Sequence, residues 1–274
     1  RSELNLFDSV AVKNWFMDNK PNVVILAAAK VGGILSNSSF PGDFLLENLK
    51  IQTNIIQAAW ENKVRRLLFL GSSCIYPKFS KQPIKEEFLL DGNLEKTNEY
   101  YAIAKIVGIK LCESLRLQYG FDAISLMPTN LYGPNDNYDL MSSHFFPALI
   151  KKIFLAKKKN FDSIKLWGNG KAKREIMYVD DLASATEFFL KKKTKHTLIN
   201  IGSGQEKTIK DFANFIMKKM DIKLKIKYDR SKPNGTPRKI IDSNLAKKYG
   251  WKSRFDLNTG FDLTLKDFLK KETL

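Results

Sequence analysis

Tyr101 and Lys105 lie four residues apart in the stretch Tyr101-Ala102-Ile103-Ala104-Lys105, a spacing that places both side chains on one face of a helix. A free phenol titrates near ~10 and a nearby ammonium favours the phenolate, so the pair can give or take a proton near neutrality. The spacing by itself is weak, because a tyrosine followed one turn later by a lysine is common on helix surfaces. Ser72 strengthens it. This serine directly follows the apolar run over residues 67–70, in the right order to meet Tyr101 over one carbonyl. Its hydroxyl could donate a hydrogen bond there as negative charge develops on the oxygen.

These side chains need a scaffold. Residues 23–28 and 67–70 are apolar on both faces, as expected of parallel strands covered by helices on each side. Between them, Leu46, Leu49, Ile55, Ile56, Ala59 and Trp60 recur near a 3.6-residue period and predict a helix over 45–62. Another helix is predicted over 98–119, stopped by Gly120, followed by a strand over 123–127. The β-α-β-α-β alternation predicts an α/β fold with a doubly wound parallel sheet and right-handed crossovers. Ligands in such folds sit outside the carboxyl ends of the strands, so the loops 27–33, 71–77 and 128–134 should converge.

After Pro134 a polar loop over 135–143 opens a second region, with helices predicted over 144–158, 180–191, 209–220, 244–249 and 258–269. Strands are predicted over 164–167, 176–179 and 198–201, and an exposed loop with two prolines over 231–237.

With 274 residues, 43% of them apolar and 27% charged, the chain is long enough for a large core and unlike disordered or collagenous sequences. Its apolar runs are too short to span a bilayer and no secretion signal is visible, so a soluble cytoplasmic protein without a membrane partner is expected. Cys74, Cys112, His144 and His196 are too few and too scattered for a zinc site or a disulfide framework, and no metal is expected. The net charge of +17 invites a nucleic-acid reading. The lysines are dispersed, however, and runs such as 157–159 and 191–193 look like helix ends and turns without a recognition motif, so no nucleic-acid partner is expected.

Ser72, Tyr101 and Lys105, together with Pro128-Thr129-Asn130-Leu131-Tyr132-Gly133-Pro134 and Tyr178-Val179-Asp180-Asp181, resemble the extended short-chain dehydrogenase/reductases that act on nucleotide sugars. The strings AAAKVGGI, LGSSCIYPK, NEYYAIAKI, MPTNLYGPNDN, SSHFFPALI and NGTPRK narrow the resemblance to the GDP-L-fucose synthase family. Members of that family are epimerase/reductases of GDP-4-keto-6-deoxy-D-mannose. The resemblance runs along almost the whole chain. It implies a dinucleotide-binding domain over 1–136 and 173–200, a smaller α/β substrate-binding domain over 137–172 and 201–274, an NADP(H) cofactor, a GDP-sugar substrate and a homodimer built on residues 45–62 and 101–119.

The resemblance also assigns residues. Cys74 and His144 match the family's base and acid for inverting carbons 3 and 5, whose protons are acidified by the 4-keto group. A thiol of intrinsic pKa ~8.5 needs modest help to act as a base, and an imidazole near ~6.5 can return a proton. Tyr101 would protonate the oxygen during reduction at carbon 4. Arg1, Asn5, Leu6, Leu70, Gly71, Ser72, Ser73, Lys105, Pro128, Thr129, Asn130, Leu131 and His144 would bind the cofactor. Lys152, Trp167, Arg174 and Lys239 match substrate positions, where cations suit a pyrophosphate. Trp167 fits core packing equally well, and Lys152 stands where the family often has arginine. Asp180 and Asp181 are expected to cap the helix that follows, Cys112 to be a small buried residue and His196 to be solvated.

The family's opening Gly-x-x-Gly-x-x-Gly turn is missing. The expectation is an N-terminally incomplete chain, lacking about 35 residues on the scale of a βαβ unit. Losing a central first strand would leave unpaired edges and apolar side chains on its neighbours. Two other readings remain open at this stage. One is a different nucleotide-sugar epimerase or dehydratase of the same group, which would not need Cys74 and His144 together. The other is an inactive, basic binding module.

Overall fold

The computed structural model describes residues 3–272. Asp8 opens α1 (Ser9–Asn19) by accepting from Val10 N at 2.9 Å and Ala11 N at 3.0 Å, the usual way to satisfy donors at a helix start. Then follow β1 (Val23–Leu26), α2 (Ile34–Ser39), α3 (Pro41–Glu61) and β2 (Arg66–Leu70). Pro41 starts α3 a turn earlier than its apolar period suggests, since proline suits the first helical position. Next, α4 (Glu99–Tyr119) ends on Gly120, whose left-handed φ of 70° lets its N–H reach Arg116 O, and β3 (Ala123–Pro128) follows. The second half adds β4 (Asn130–Tyr132), α5 (Phe145–Lys158), β5 (Ser163–Trp167), β6 (Lys173–Tyr178), α6 (Val179–Lys191) and β7 (Leu198–Ile201). It closes with β8 (Glu206–Thr208), α7 (Ile209–Lys219), β9 (Lys225–Asp229), β10 (Arg238–Lys239), α8 (Asn244–Tyr249) and α9 (Leu257–Glu272).

The main sheet is parallel, in the order β1-β2-β3-β7. Its strands alternate between two cores, as the two-residue period demands. Leu67, Phe69, Ala123 and Met127 pack with Ile55, Ile56, Ile109 and Cys112 of α3 and α4. Leu68, Ile124, Leu126 and Ile199 pack with Leu182, Ala185 and Phe189 of α6 and with Ala246 and Trp251. Helices on both faces make the fold doubly wound α/β. β1 departs from the reading of a strand apolar on both sides: Leu26 is buried on the α3 side, whereas Ile25 is 47% exposed on the other. As the edge strand of this sheet it is covered on one face.

Two smaller sheets build the second region. In one, β6 pairs in parallel with β4 and β10 and antiparallel with β8; in the other, β5 pairs with β9. Their core is aromatic, with Phe146 4.9 Å from Tyr132, 5.5 Å from Phe212 and 6.1 Å from Phe261. β3 passes into β4 through Thr129 alone. Its N–H donates to Ile201 O on the main sheet, and its hydroxyl donates to Glu175 O on the small one, both at 3.1 Å.

Asp180 and Asp181 do not cap α6, whose start has no side-chain cap. Asp181 is fully buried and instead accepts from Arg254 N at 2.8 Å and Phe255 N at 3.2 Å, fixing a distant loop. Among the described residues no helix is long and apolar enough to cross a membrane.

Candidate active site

The loops after β1, β2 and β3 meet the starts of α4 and α5 and the ends of β5, β6 and β10 around a cavity of about 570 Å³. This is the carboxyl-end crevice expected of an open α/β sheet. Ser72, Cys74, Tyr101, Lys105 and His144 all line it, as do Leu70, Gly71, Ser73, Pro128, Thr129, Asn130 and Leu131. At Gly71 the backbone comes close to Met127, and a Cβ there would meet the end of that side chain, which would have to move aside.

Ser72 lines the cavity with Tyr101, and its hydroxyl accepts from Cys74 N at 3.2 Å at the head of a short 3₁₀ turn. Burial pushes the Tyr101 phenol well above its ordinary value, a negative Cys74 would push it further, and Ser72 offsets only part of this. Lys105 shares the cavity wall with Tyr101, as its spacing suggested. It is buried, donates to Leu70 O at 2.8 Å, lies 6.0 Å from the Tyr101 ring centre and is itself pushed down to about 8 by burial. A phenol held up by burial suits a proton donor. One acceptor for three ammonium hydrogens leaves Lys105 with donors for a hydroxylated ligand.

Cys74 is half-buried and accepts a hydrogen bond on Sγ from Lys239 Nζ at 3.4 Å. Burial alone would raise its thiol, but the Lys239 charge, the Ser72 hydroxyl, the bond from Lys239 and the charge of Arg174 together bring it below the usual value. His144 caps no N–H of α5; enclosure by the cavity walls, then the Lys239 charge, lowers its imidazole. Arg174 is buried and donates through Nη1 to Lys173 O at 2.8 Å and to Thr236 O at 2.5 Å. Through these bonds it holds Thr236 on the cavity, while residues 231–234 and 237 are exposed, as the prolines suggested.

Lys152 and Trp167 line the same cavity, with the Lys152 ammonium 5.5 Å and the Lys232 ammonium 5.9 Å from the indole ring. Trp167 thus belongs to the cavity wall and not to the core. Arg1 lies outside the described residues, and Asn5 and Leu6 do not line the cavity: Asn5 Oδ1 accepts from Phe7 N and Leu6 O from Asn54 Nδ2. Cys112 is fully buried, its thiol pushed up to about 12 by burial. His196 is not simply solvated, because its Nδ1 lies 2.6 Å from the Tyr249 hydroxyl.

Sequence reasoning passed over Asn37, Asn98 and Ser143. Asn37 Oδ1, Asn98 Oδ1 and Ser143 Oγ are buried atoms without a hydrogen-bond partner, and all three residues line the cavity. Buried polar atoms are normally paired, so this set suits a ligand rich in hydroxyl and phosphate oxygens. Asn98 and Ser143 stand in strings already marked by their resemblance, NEYYAIAKI and SSHFFPALI. For Asn37 the sequence carries no signal.

The family described as NAD dependent epimerase/dehydratase matches residues 1–202. A protein described as GDP-L-fucose synthase 1 from Arabidopsis thaliana is 49% identical over 269 residues, covering 98% of this chain and 83% of that protein. One described as GDP-L-fucose synthase from Escherichia coli is 47% identical over 281 residues, covering 99% and 88%. A crystal structure of a GDP-L-fucose synthetase from Naegleria fowleri bound to NADP superposes with a TM-score of 0.87 at 26% identity, covering 98% of this chain and 82% of the other.

Proposed function

We infer, since the chain belongs to the NAD dependent epimerase/dehydratase family, that it makes GDP-L-fucose from GDP-4-keto-6-deoxy-D-mannose by epimerisation at carbons 3 and 5 and reduction at carbon 4. The observation that carries the reading is the convergence of Ser72, Cys74, Tyr101, Lys105 and His144 on one cavity. Ser72 and Tyr101 bind the 4-keto oxygen, which draws electron density from the neighbouring carbons. Cys74 takes a proton from carbon 3 or 5, the electron pair moves onto the oxygen, and His144 returns a proton to the same carbon. Inversion results when the proton comes back on the other face. The lowered thiol suits the base; the high phenol suits Tyr101 as the acid that protonates the oxygen at carbon 4.

NADP(H) supplies the hydride for carbon 4 when bound. Lys105, Leu70 to Ser73 and Pro128 to Leu131 would hold it, and the spare Lys105 donors fit ribose hydroxyls. Lys152, Trp167, Arg174 and Lys239 would receive the GDP-sugar. We assign residues 137–172 and those from 201 onward to substrate binding and the rest to the dinucleotide. A homodimer through α3 and α4 is part of the same reading. It is supported by the exposed apolar side chains Leu46, Ile103 and Val107, with light scattering as the check.

The test is incubation with GDP-4-keto-6-deoxy-D-mannose and NADPH in deuterated solvent. The expected result is deuterium at carbons 3 and 5 together with stoichiometric NADPH oxidation; absence of both would refute the reading. Lys152→Ala should raise KM for the GDP-sugar about tenfold or more with a smaller change in kcat, the scale of losing one charge-assisted contact. Steady-state kinetics measures that split.

A further inference from the structure

Lys239 occupies an unusual place for a residue matched only to substrate binding. It ends β10, paired with Arg174 of β6, and its backbone is held in place by the next residues: Ile241 N donates to the buried Glu175 Oε2 at 3.0 Å and Ile240 N to Gln82 Oε1 at 3.0 Å. Among the described residues no carboxylate forms an ion pair with its ammonium. Its partner is the Cys74 sulfur, at 3.4 Å.

We propose that Lys239, within the epimerisation read at this site, is the standing counter-cation of Cys74: its ammonium donates to Sγ and holds the sulfur as the thiolate that abstracts the substrate proton. In that step a C–H bond of carbon 3 or 5 breaks, an S–H bond forms, and the electron pair passes to the keto oxygen as the enolate. A proton from His144 then forms the new C–H bond as the enolate collapses. Lys239 exchanges no proton with the substrate, and solvent restores the thiolate and the His144 proton between turns. It is a positioning residue in this scheme, since it acts through the sulfur.

Other groups facing Cys74 come from every element around it. Arg174 on β6 adds a second, more distant positive charge, and the Ser72 hydroxyl on its own loop accepts from Cys74 N at 3.2 Å. Tyr101 on α4 is a neutral phenol, and Glu95, beside the small recess shared by Cys74 and Lys239, is engaged by Lys78 at 2.9 Å. His144 on α5 feels the same Lys239 charge. Lys239 is the cation in direct contact, so its removal should dominate.

The experiment is the pH profile of Cys74 alkylation by iodoacetamide, read by mass spectrometry of the Cys74 peptide so that Cys112 does not contribute. Wild type should show a midpoint below the ordinary thiol value of ~8.5. Lys239→Met should move it up by about 1 unit or more, and Lys239→Arg should bring it back. With substrate, Lys239→Met should lower deuterium uptake near neutral pH about tenfold or more while KM changes less. A wild-type midpoint at or above the ordinary value would overturn the proposal even if the variants failed to fold. So would an unchanged midpoint in a folded Lys239→Met protein, or a rise confined to KM. Alkylation needs no sugar: a shifted midpoint without exchange into the GDP-keto-sugar would refute the proposed activity and leave the Lys239–Cys74 pair standing.

Discussion

Tyr101→Phe should lower substrate-dependent NADPH oxidation by about 10²–10⁴-fold, the usual loss on removing one positioned proton donor. The ring itself has a structural place, edge-on to Phe44 at 6.3 Å, and phenylalanine preserves it. What disappears is the hydroxyl that would protonate the oxygen at carbon 4. Because burial keeps that phenol protonated, the loss should persist across neutral pH and not vanish on acidification. Deuterium uptake at carbons 3 and 5 should survive better than hydride transfer, since Ser72 still polarises the ketone. NADPH absorbance and NMR of the recovered sugar separate the two effects. Equal rates in wild type and variant would remove Tyr101 from the chemistry.

Cys74→Ser should do the converse. An alcohol in place of the thiol has no accessible anion near neutrality, so proton abstraction should fall by about 10²–10⁴-fold. The change is small in volume, and the half-buried site can keep its backbone turn through the Ser72 hydroxyl. Reduction of the ketone should continue at a measurable rate, giving a sugar reduced at carbon 4 without inversion at its neighbours. Deuterium uptake at the wild-type rate in this variant would remove the thiol as the base.

The two predictions rest on residues of unequal legibility. Tyr101 and Lys105 could be placed on one helix face from spacing alone, and Ser72 at a strand end, because both follow from local geometry. The electrostatics could not be read the same way: burial, which raises the Tyr101 phenol and lowers the Lys105 ammonium, depends on tertiary packing. Asp181 misled for a related reason, since a carboxylate in a first helical turn looks like a cap until a loop some seventy residues later, at Arg254 and Phe255, claims both its oxygens. The segment over 231–237 was legible as an exposed loop, because prolines and small polar residues mark turns; the bond by which Arg174 draws Thr236 onto the cavity was not. β4, β8 and β10 are two or three residues long, too short for any period to show, and α1 has only Val12 and Phe16 buried. The Lys239–Cys74 contact spans 165 positions and exists only once β10 has joined β6.

A polypeptide that leaves one sheet and enters another with only Thr129 between them has no slack at that joint. With its N–H anchored to one layer and its hydroxyl to the other, the floor of the crevice cannot spread to admit a bulky solute. Adjustment to a bound solute therefore falls to exposed side chains of the lining such as Leu140 and Met141, which can swing aside without tearing a ladder of main-chain bonds.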